Sequence, residues 1–255
     1  MTALLEVTDL NKHFGGLHAV QNVSFTLKAG SITGMLGPNG AGKTTVFNLL
    51  TGFVPFETGT ILFEGAPLAG LAPHRIVNRG VARTFQLARP FAGMTVLENV
   101  EVACLAPRAR HLGPPRSRAQ AILDLVGLGG KSAATVDVLP YGDLRRLEIA
   151  RALATSPKLL LLDEPFAGLG TSEIEPLANL ITELHRSEGL AIFIIEHKLR
   201  EFMQLVHEVI ALDFGEVVAI GPPAEIVRHP RVVEAYIGRD DFGDAAATGA
   251  GLGTA

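Results

Sequence analysis

The chain has a single cysteine, Cys104, so no intrachain disulfide can form. Its neighbours Val102, Ala103 and Leu105 mark it as a small buried apolar residue rather than a ligand, and a reducing cytosol is the simplest compartment. An excess of positive charge is lacking too. Lys and Arg total 22 against 26 Asp and Glu, and a net charge of −4 gives no overall attraction to a polyanion, so no nucleic-acid partner is expected. No stretch approaches the ~18 uninterrupted apolar residues of a membrane-crossing helix. The opening MTALLEVTDLNKHF lacks the basic-then-apolar pattern of a signal peptide. A role at a membrane therefore requires another chain to hold this one there. No internal repeat is visible. With 47% apolar and only 19% charged residues, the composition excludes a disordered chain, and 255 residues suffice for one sizeable domain with a subdomain.

What is present is a series of short apolar runs, each ending in polar residues. Ile32 to Leu36 leads through a glycine-rich loop into KTTVFNLLTG, where Val46, Leu49 and Leu50 recur at helical spacing. This reads as strand, loop, helix. LLLL at 159–162 and AIFII at 191–195 are continuous apolar runs of strand length, as expected for strands covered on both faces in a parallel sheet. Ligands in such folds sit beyond the carboxyl ends of the strands. Between about 93 and 155 the pattern changes to helical segments, including AQAILDLVGL and DLRRLEIARALA, separated by APRARHLGPPRSR. That region reads as an inserted helical subdomain. From 239 to 255 Gly, Ala and Asp dominate, which predicts a disordered tail.

Residues 37–45, GPNGAGKTT, match the P-loop pattern after a strand and at the opening of a helix. Gly37, Pro38, Asn39, Gly40, Ala41, Gly42 and Thr45 form the loop whose backbone N–H groups converge on phosphate oxygens. The helix N-terminus adds its positive dipole end, Lys43 offsets β/γ-phosphate charge, and Thr44 is suited to hold Mg²⁺. The bland alternative, a glycine-rich turn with an incidental lysine, leaves the flanking strand and helix unexplained. At the end of the 159–162 run, Asp163 suits the Mg²⁺ shell and Glu164 is placed to polarise an attacking water as general base. Alone, such a carboxylate pair is more often a turn or helix cap. A P-loop in the same chain reverses that balance.

RTFQ at 83–86, LPYGDLRRLEIARAL at 139–153, LLLLDEP at 159–165 and IIEH at 194–197 follow the P-loop in the order of the Q-loop, signature, Walker B and switch histidine of ABC ATPases. The chain resembles that family over about residues 4–238. GGLHAVQNVSF, MTVLENV, GVARTFQ and PPAEIVRHPRVVEAYIG are similar to its branched-chain amino-acid importer subfamily. The resemblance implies an α/β P-loop NTPase fold: a RecA-like mixed sheet core, an antiparallel β subdomain and an inserted helical subdomain. It implies ATP and Mg²⁺ as cofactors, with Gln86 reporting the γ-phosphate and Mg²⁺ state to the helical subdomain, and His197 steadying the attacking water with Glu164. It places Phe14 against adenine, although a core phenylalanine explains that residue almost as well. It also implies a head-to-tail pair of ATP-binding subunits, identical or different, in which Tyr141, Gly142 and Asp143 close on the ATP of the other subunit. Membrane-spanning subunits and, indirectly, a periplasmic solute-binding protein complete the assembly, at the cytoplasmic face of the inner membrane. A lone glutamine in a loop or histidine at a strand end is ordinarily an unremarkable polar residue, so Gln86 and His197 rest on the motif series.

The chain departs from the family where LSGGQ becomes Leu139, Pro140, Tyr141, Gly142 and Asp143. The serine hydroxyl that would meet the γ-phosphate is missing, and one such donor is worth ~3 kcal/mol when nothing substitutes. Gly170 stands where Asn or Asp is usual, and Leu144 and Lys198 replace a common Gln and Asp. Activity with slow turnover is expected, and a partner subunit with a better signature would reconcile the changes. Two other readings compete. A soluble ABC protein outside transport usually carries two linked ABC domains or a long coiled-coil insertion, and this chain has neither. A P-loop kinase or GTPase leaves the signature segment unexplained, and NKHF at 11–14 lacks the aspartate of a guanine-reading NKxD.

Overall fold

Alternation of buried and exposed residues starts the chain and makes a half-covered sheet. In the computed structural model, which describes residues 3–86 and 89–236, β1 (Ala3–Phe14) buries Leu5, Val7 and Leu10, and β2 (Leu17–Lys28) buries Val20, Val23, Phe25 and Leu27. The period of two that one-sided burial requires runs from Leu5 to Val7 and from Val23 to Leu27, and it breaks between Val7 and Leu10 and between Val20 and Val23, where Asp9 and Asn22 take positive φ. The two strands form a hairpin, Phe14 opposite Leu17, whose tight connection uses Gly15 at φ 58°. β4 (Thr58–Phe63) pairs antiparallel with β1 and with the short β5 (Ala66–Pro67), giving the order β2-β1-β4-β5. The expected antiparallel subdomain is this sheet. The expected tail at 239–255 lies outside the described residues.

The described residues divide into two compact units, one of residues 3–70 and 192–236 and one of residues 71–86 and 89–191. In the first unit β3 (Ile32–Leu36) runs parallel to β8 (Ala191–Ile195) and to β9 (Glu208–Asp213), while β10 (Glu216–Gly221) is antiparallel to β9. Every residue of β3 and β8 is buried, which accounts for their unbroken apolar runs. Helix α1 (Lys43–Leu50) is held by Phe47, whose ring lies 5.0 Å from Phe193 of β8, which in turn lies 5.6 Å from Phe25 of β2. These tilted aromatic contacts fix the helix that follows the P-loop. Helix α7 (Leu199–Leu205) approaches β3 so closely that a Cβ on Gly34 would run into the Phe202 ring. Helices α8 (Pro223–Ile226) and α9 (Pro230–Tyr236) end the described chain.

The second unit contains helix α2 (Pro73–Arg79), then β6 (Val81–Arg83) parallel to β7 (Leu159–Asp163), with Ala82 opposite Leu160. Between those strands come α3 (Val96–Cys104), α4 (Pro115–Leu125) and α5 (Tyr141–Leu153); α6 (Thr171–Glu188) follows β7. Thr95 opens α3 with a reciprocal capping box to Glu98: its hydroxyl accepts from Glu98 N and its N–H donates to Glu98 Oε2 at 2.8 Å. The proline-rich stretch read as a separator is more ordered than the sequence suggested. Residues 107–112 form a 3₁₀ turn with Ala109 buried, and Pro115 begins α4, because a proline at the first helical position gives up no hydrogen bond. Cys104 is buried at the end of α3, as its apolar neighbours implied, and burial pushes its thiol pKa up.

Candidate functional site

Within the first unit, β3 delivers the chain into the loop Gly37–Thr45 and α1 carries it away. Gly40 at φ 85° and Gly42 at φ 101° place the loop in backbone conformations that side chains resist, and a Cβ on Gly42 would press on Ala19 O. Gly42 is the N-cap of α1 and gives it no side-chain cap. Lys43, 5% exposed, donates from Nζ to Gly37 O at 2.7 Å and Pro38 O at 2.9 Å. Its ammonium thus lies against the loop backbone. Asn39, Gly40 and Thr44 are exposed; Pro38 and Thr45 are half-buried and Ala41 is buried. Phe14 is 47% exposed at the end of β1, so it is not a core phenylalanine, and Lys12 Nζ stands 5.4 Å from its ring centre.

His197 follows β8 and is half-buried. The turn that holds it was not foreseen: Glu196, 2% exposed, accepts from His197 N at 2.8 Å and Lys198 N at 3.1 Å through Oε2. Only its place in IIEH hinted at this.

Within the second unit, β7 ends in Asp163, 2% exposed, and half-buried Glu164 at φ 48°. A glutamate in the left-handed region is uncommon and strained, and such residues cluster where the surroundings over-determine them. Gln86 Nε2 donates to Glu164 Oε2 at 2.8 Å, so two residues chosen from distant motifs meet. Arg83, the first residue of RTFQ, was not anticipated. Its Nη2 donates to Asp163 Oδ2 at 2.6 Å in an ion pair whose side chains are 5% and 3% exposed.

Helix α5 starts at Tyr141, two residues before Asp143, the first residue of the segment DLRRLEIARALA read as helical. Pro140, at φ −57° and ψ 155°, is the cap, and Tyr141, Gly142 and Asp143 form the first turn. A Cβ on Gly142 would collide with Glu173 Oε1, while Glu173 Oε2 accepts from Gly170 N at 3.0 Å and closes the first turn of α6. Gly168, at φ 78°, lies under the Tyr141 ring, which leaves no room for a side chain. Asp143 is ion-paired with Lys131. The carboxylate that replaces the family's glutamine therefore has its charge offset within the chain.

No cluster of three His, Cys, Asp or Glu side chains suited to a metal occurs among the described residues. The expected donors, Thr44 hydroxyl, Asp163 carboxylate and Gln86 carboxamide, are all hard oxygens. That set fits Mg²⁺, which takes few protein ligands and completes its shell with water and phosphate oxygens. No described helix is long and apolar enough to cross a membrane.

A family model described as ABC transporter matches residues 20–167, and one described as branched-chain amino acid ATP-binding cassette transporter matches 216–241. The chain is 41% identical over 249 residues to the high-affinity branched-chain amino acid transport ATP-binding protein LivG of Salmonella typhimurium, covering 92% of this chain and 98% of that protein. It is 38% identical over 256 residues to the corresponding protein BraF of Pseudomonas aeruginosa, with the same coverage. Among solved structures, an ATP-binding cassette of an ABC transporter in its ADP conformation superposes with a TM-score of 0.85 at 30% identity, covering 94% of this chain and all of that one.

Proposed function

The chain belongs to the ABC transporter family as an ATP-binding, ATP-hydrolysing subunit, and from that premise we propose that it powers import of branched-chain amino acids or related small polar solutes. Its likeness to LivG and BraF, and the match of 216–241 to the branched-chain model, support the substrate class. These relatives lend nothing to a soluble role outside transport. The proposed unit is one ATPase domain over 4–238, with 93–155 as its helical subdomain. It docks on membrane-spanning subunits at the cytoplasmic face of the inner membrane, fed by a periplasmic solute-binding protein, and pairs head to tail with a second ATP-binding subunit.

In this reading Phe14 stacks on adenine, the 37–45 loop with Lys43 cradles the phosphates, and Thr44, Asp163 and Gln86 hold Mg²⁺, which would offset phosphate charge when bound. Glu164 takes the proton of the attacking water, and His197 steadies that water against the γ-phosphate. Tyr141, Gly142 and Asp143 present the start of α5 to the ATP of the other subunit, where backbone N–H groups stand in for the absent serine hydroxyl.

The observation that carries the hydrolytic reading is the Gln86–Glu164 contact at the end of a buried strand, with Glu164 held in a strained backbone state. The test is ATP hydrolysis by the assembled transporter with and without Glu164→Gln, together with ATP-dependent dimerisation measured by size. Loss of hydrolysis by at least ~10²-fold with ATP binding retained and a dimer trapped is the expected result. Equal rates in the two proteins would remove Glu164 from the mechanism.

A further inference from the structure

Arg145 belongs to none of the motif positions expected to touch nucleotide, yet it is among the least exposed charged residues of the protein, at 3%. It lies one turn into α5, four residues after Tyr141. Its guanidinium reaches three segments at once. Nη1 donates to Phe85 O at 3.0 Å and to Glu148 Oε2 at 3.1 Å. Nη2 donates to Gln86 O at 2.7 Å and Tyr141 Oη at 2.6 Å, with Ala167 O at 3.4 Å. The group therefore grips the backbone that carries Gln86, the first turn of α5, and the turn that follows Glu164.

Two features separate this from an ordinary buried ion pair. The Nε of Arg145 is buried without a partner, so the head is aimed at the loop carbonyls at the expense of one of its own donors. Among the described residues Glu148, 8% exposed, is the one carboxylate paired with it, while the other four acceptors are three backbone carbonyls and a phenol. Thr84, Phe85 and Gln86 follow the end of β6 and belong to no strand or helix. The carbonyls of Phe85 and Gln86 thus lack a sheet ladder to fix them, and Arg145 supplies the fixed points. Gln86 then passes the constraint on, since its own Nε2 meets Glu164 Oε2.

We propose that Arg145 is a positioning residue for ATP hydrolysis, tying the Gln86 backbone and the 164–167 turn to the start of α5 so that Gln86 and Glu164 stay in register. The proposal rests on the reading of Gln86 and Glu164 as the hydrolytic pair. A planar fork is needed because the carbonyls of Phe85 and Gln86, adjacent in sequence, are taken by different nitrogens of one head. Lysine, a single point of charge, cannot span them.

The test is a cycle of Arg145→Lys, Gln86→Ala and the double variant in the assembled transporter, reading kcat, KM for ATP, affinity for a fluorescent ATP analogue, and melting temperature. Arg145→Lys is expected to lower kcat by roughly 10- to 100-fold, as a small misplacement of a catalytic group does, with KM and analogue affinity within about twofold. In the Gln86→Ala background the same change should cost less than about twofold more, because the link it serves is already cut. Multiplying losses, an unchanged kcat, or a loss that falls on KM instead overturns the proposal. Should Arg145→Lys not fold, Arg145→Gln takes its place in the cycle, and collapse of both assigns Arg145 to the fold alone and overturns it equally. Glu164→Gln is measured alongside: if that variant still hydrolyses ATP, the catalytic pair itself is misassigned, a result separable from additivity in the cycle.

Discussion

Removing Arg83 tests how the buried Asp163 carboxylate is held. Arg83 and Asp163 form a 2.6 Å ion pair with side chains 5% and 3% exposed, so neither charge has bulk water to fall back on. Breaking a buried pair by deleting one partner costs about 3–5 kcal/mol, against ~0–1 kcal/mol for an exposed pair. For a chain of this size each kcal/mol shifts the melting temperature by about 2–4 °C, so Arg83→Met should lower it by roughly 6–20 °C. The assay is urea and thermal unfolding followed by circular dichroism, without nucleotide or Mg²⁺. Asp163→Leu alone should cost a similar amount, because it removes the carboxylate that offsets the buried guanidinium. The double variant Arg83→Met with Asp163→Leu should recover most of the loss, since apolar replacement of both partners is often neutral. A single-variant cost below about 1 kcal/mol would refute the reasoning, as would additive losses in the double variant.

Three further outcomes follow from local geometry. Phe47→Ala empties a fully buried site against Phe193 and should destabilise the protein by about 3–5 kcal/mol, read as a lower urea midpoint. Thr95→Ala removes the capping box at the start of α3 and should cost about 1 kcal/mol in the same assay. Glu57 is held down to about 2 from 4.5, chiefly by the hydrogen bond from the His13 ring and then by His13 N–H. A depressed carboxyl contributes stability above its unfolded pKa and loses it as pH falls toward the folded one. The stability difference between wild type and Glu57→Gln should therefore be constant above about pH 4.5 and shrink between there and about pH 2; a difference unchanged across that window would contradict the assignment.

How far the site was legible differs residue by residue. The places of Lys43 and Glu164 in the fold could be read because their motifs are local: a strand must end and a loop or turn must follow within a few residues. Phe14 was ambiguous in the sequence, since a lone aromatic upstream of the loop fits a core or a ligand equally, and only its 47% exposure removes the core alternative. The start of α5 was misplaced by two residues because glycine ordinarily opposes helix, whereas Gly142 sits inside the first turn, its missing Cβ leaving space for Glu173.

By itself the sequence determined the family, the strand, glycine-rich loop and helix around Lys43, the buried strands that end in polar residues, and the absence of a membrane-crossing helix among the described elements. The family came from the resemblance of an ordered series of motifs, whereas the strands and the lack of a membrane-crossing run follow from composition and periodicity, which act over one or two turns of chain. Only tertiary structure decided that Arg83 neutralises Asp163, that Arg145 grips the Gln86 segment, and that Gln86 meets Glu164. Each joins residues 59 to 80 positions apart, and a charged side chain in a sequence reads as a solvated one until the fold removes its water.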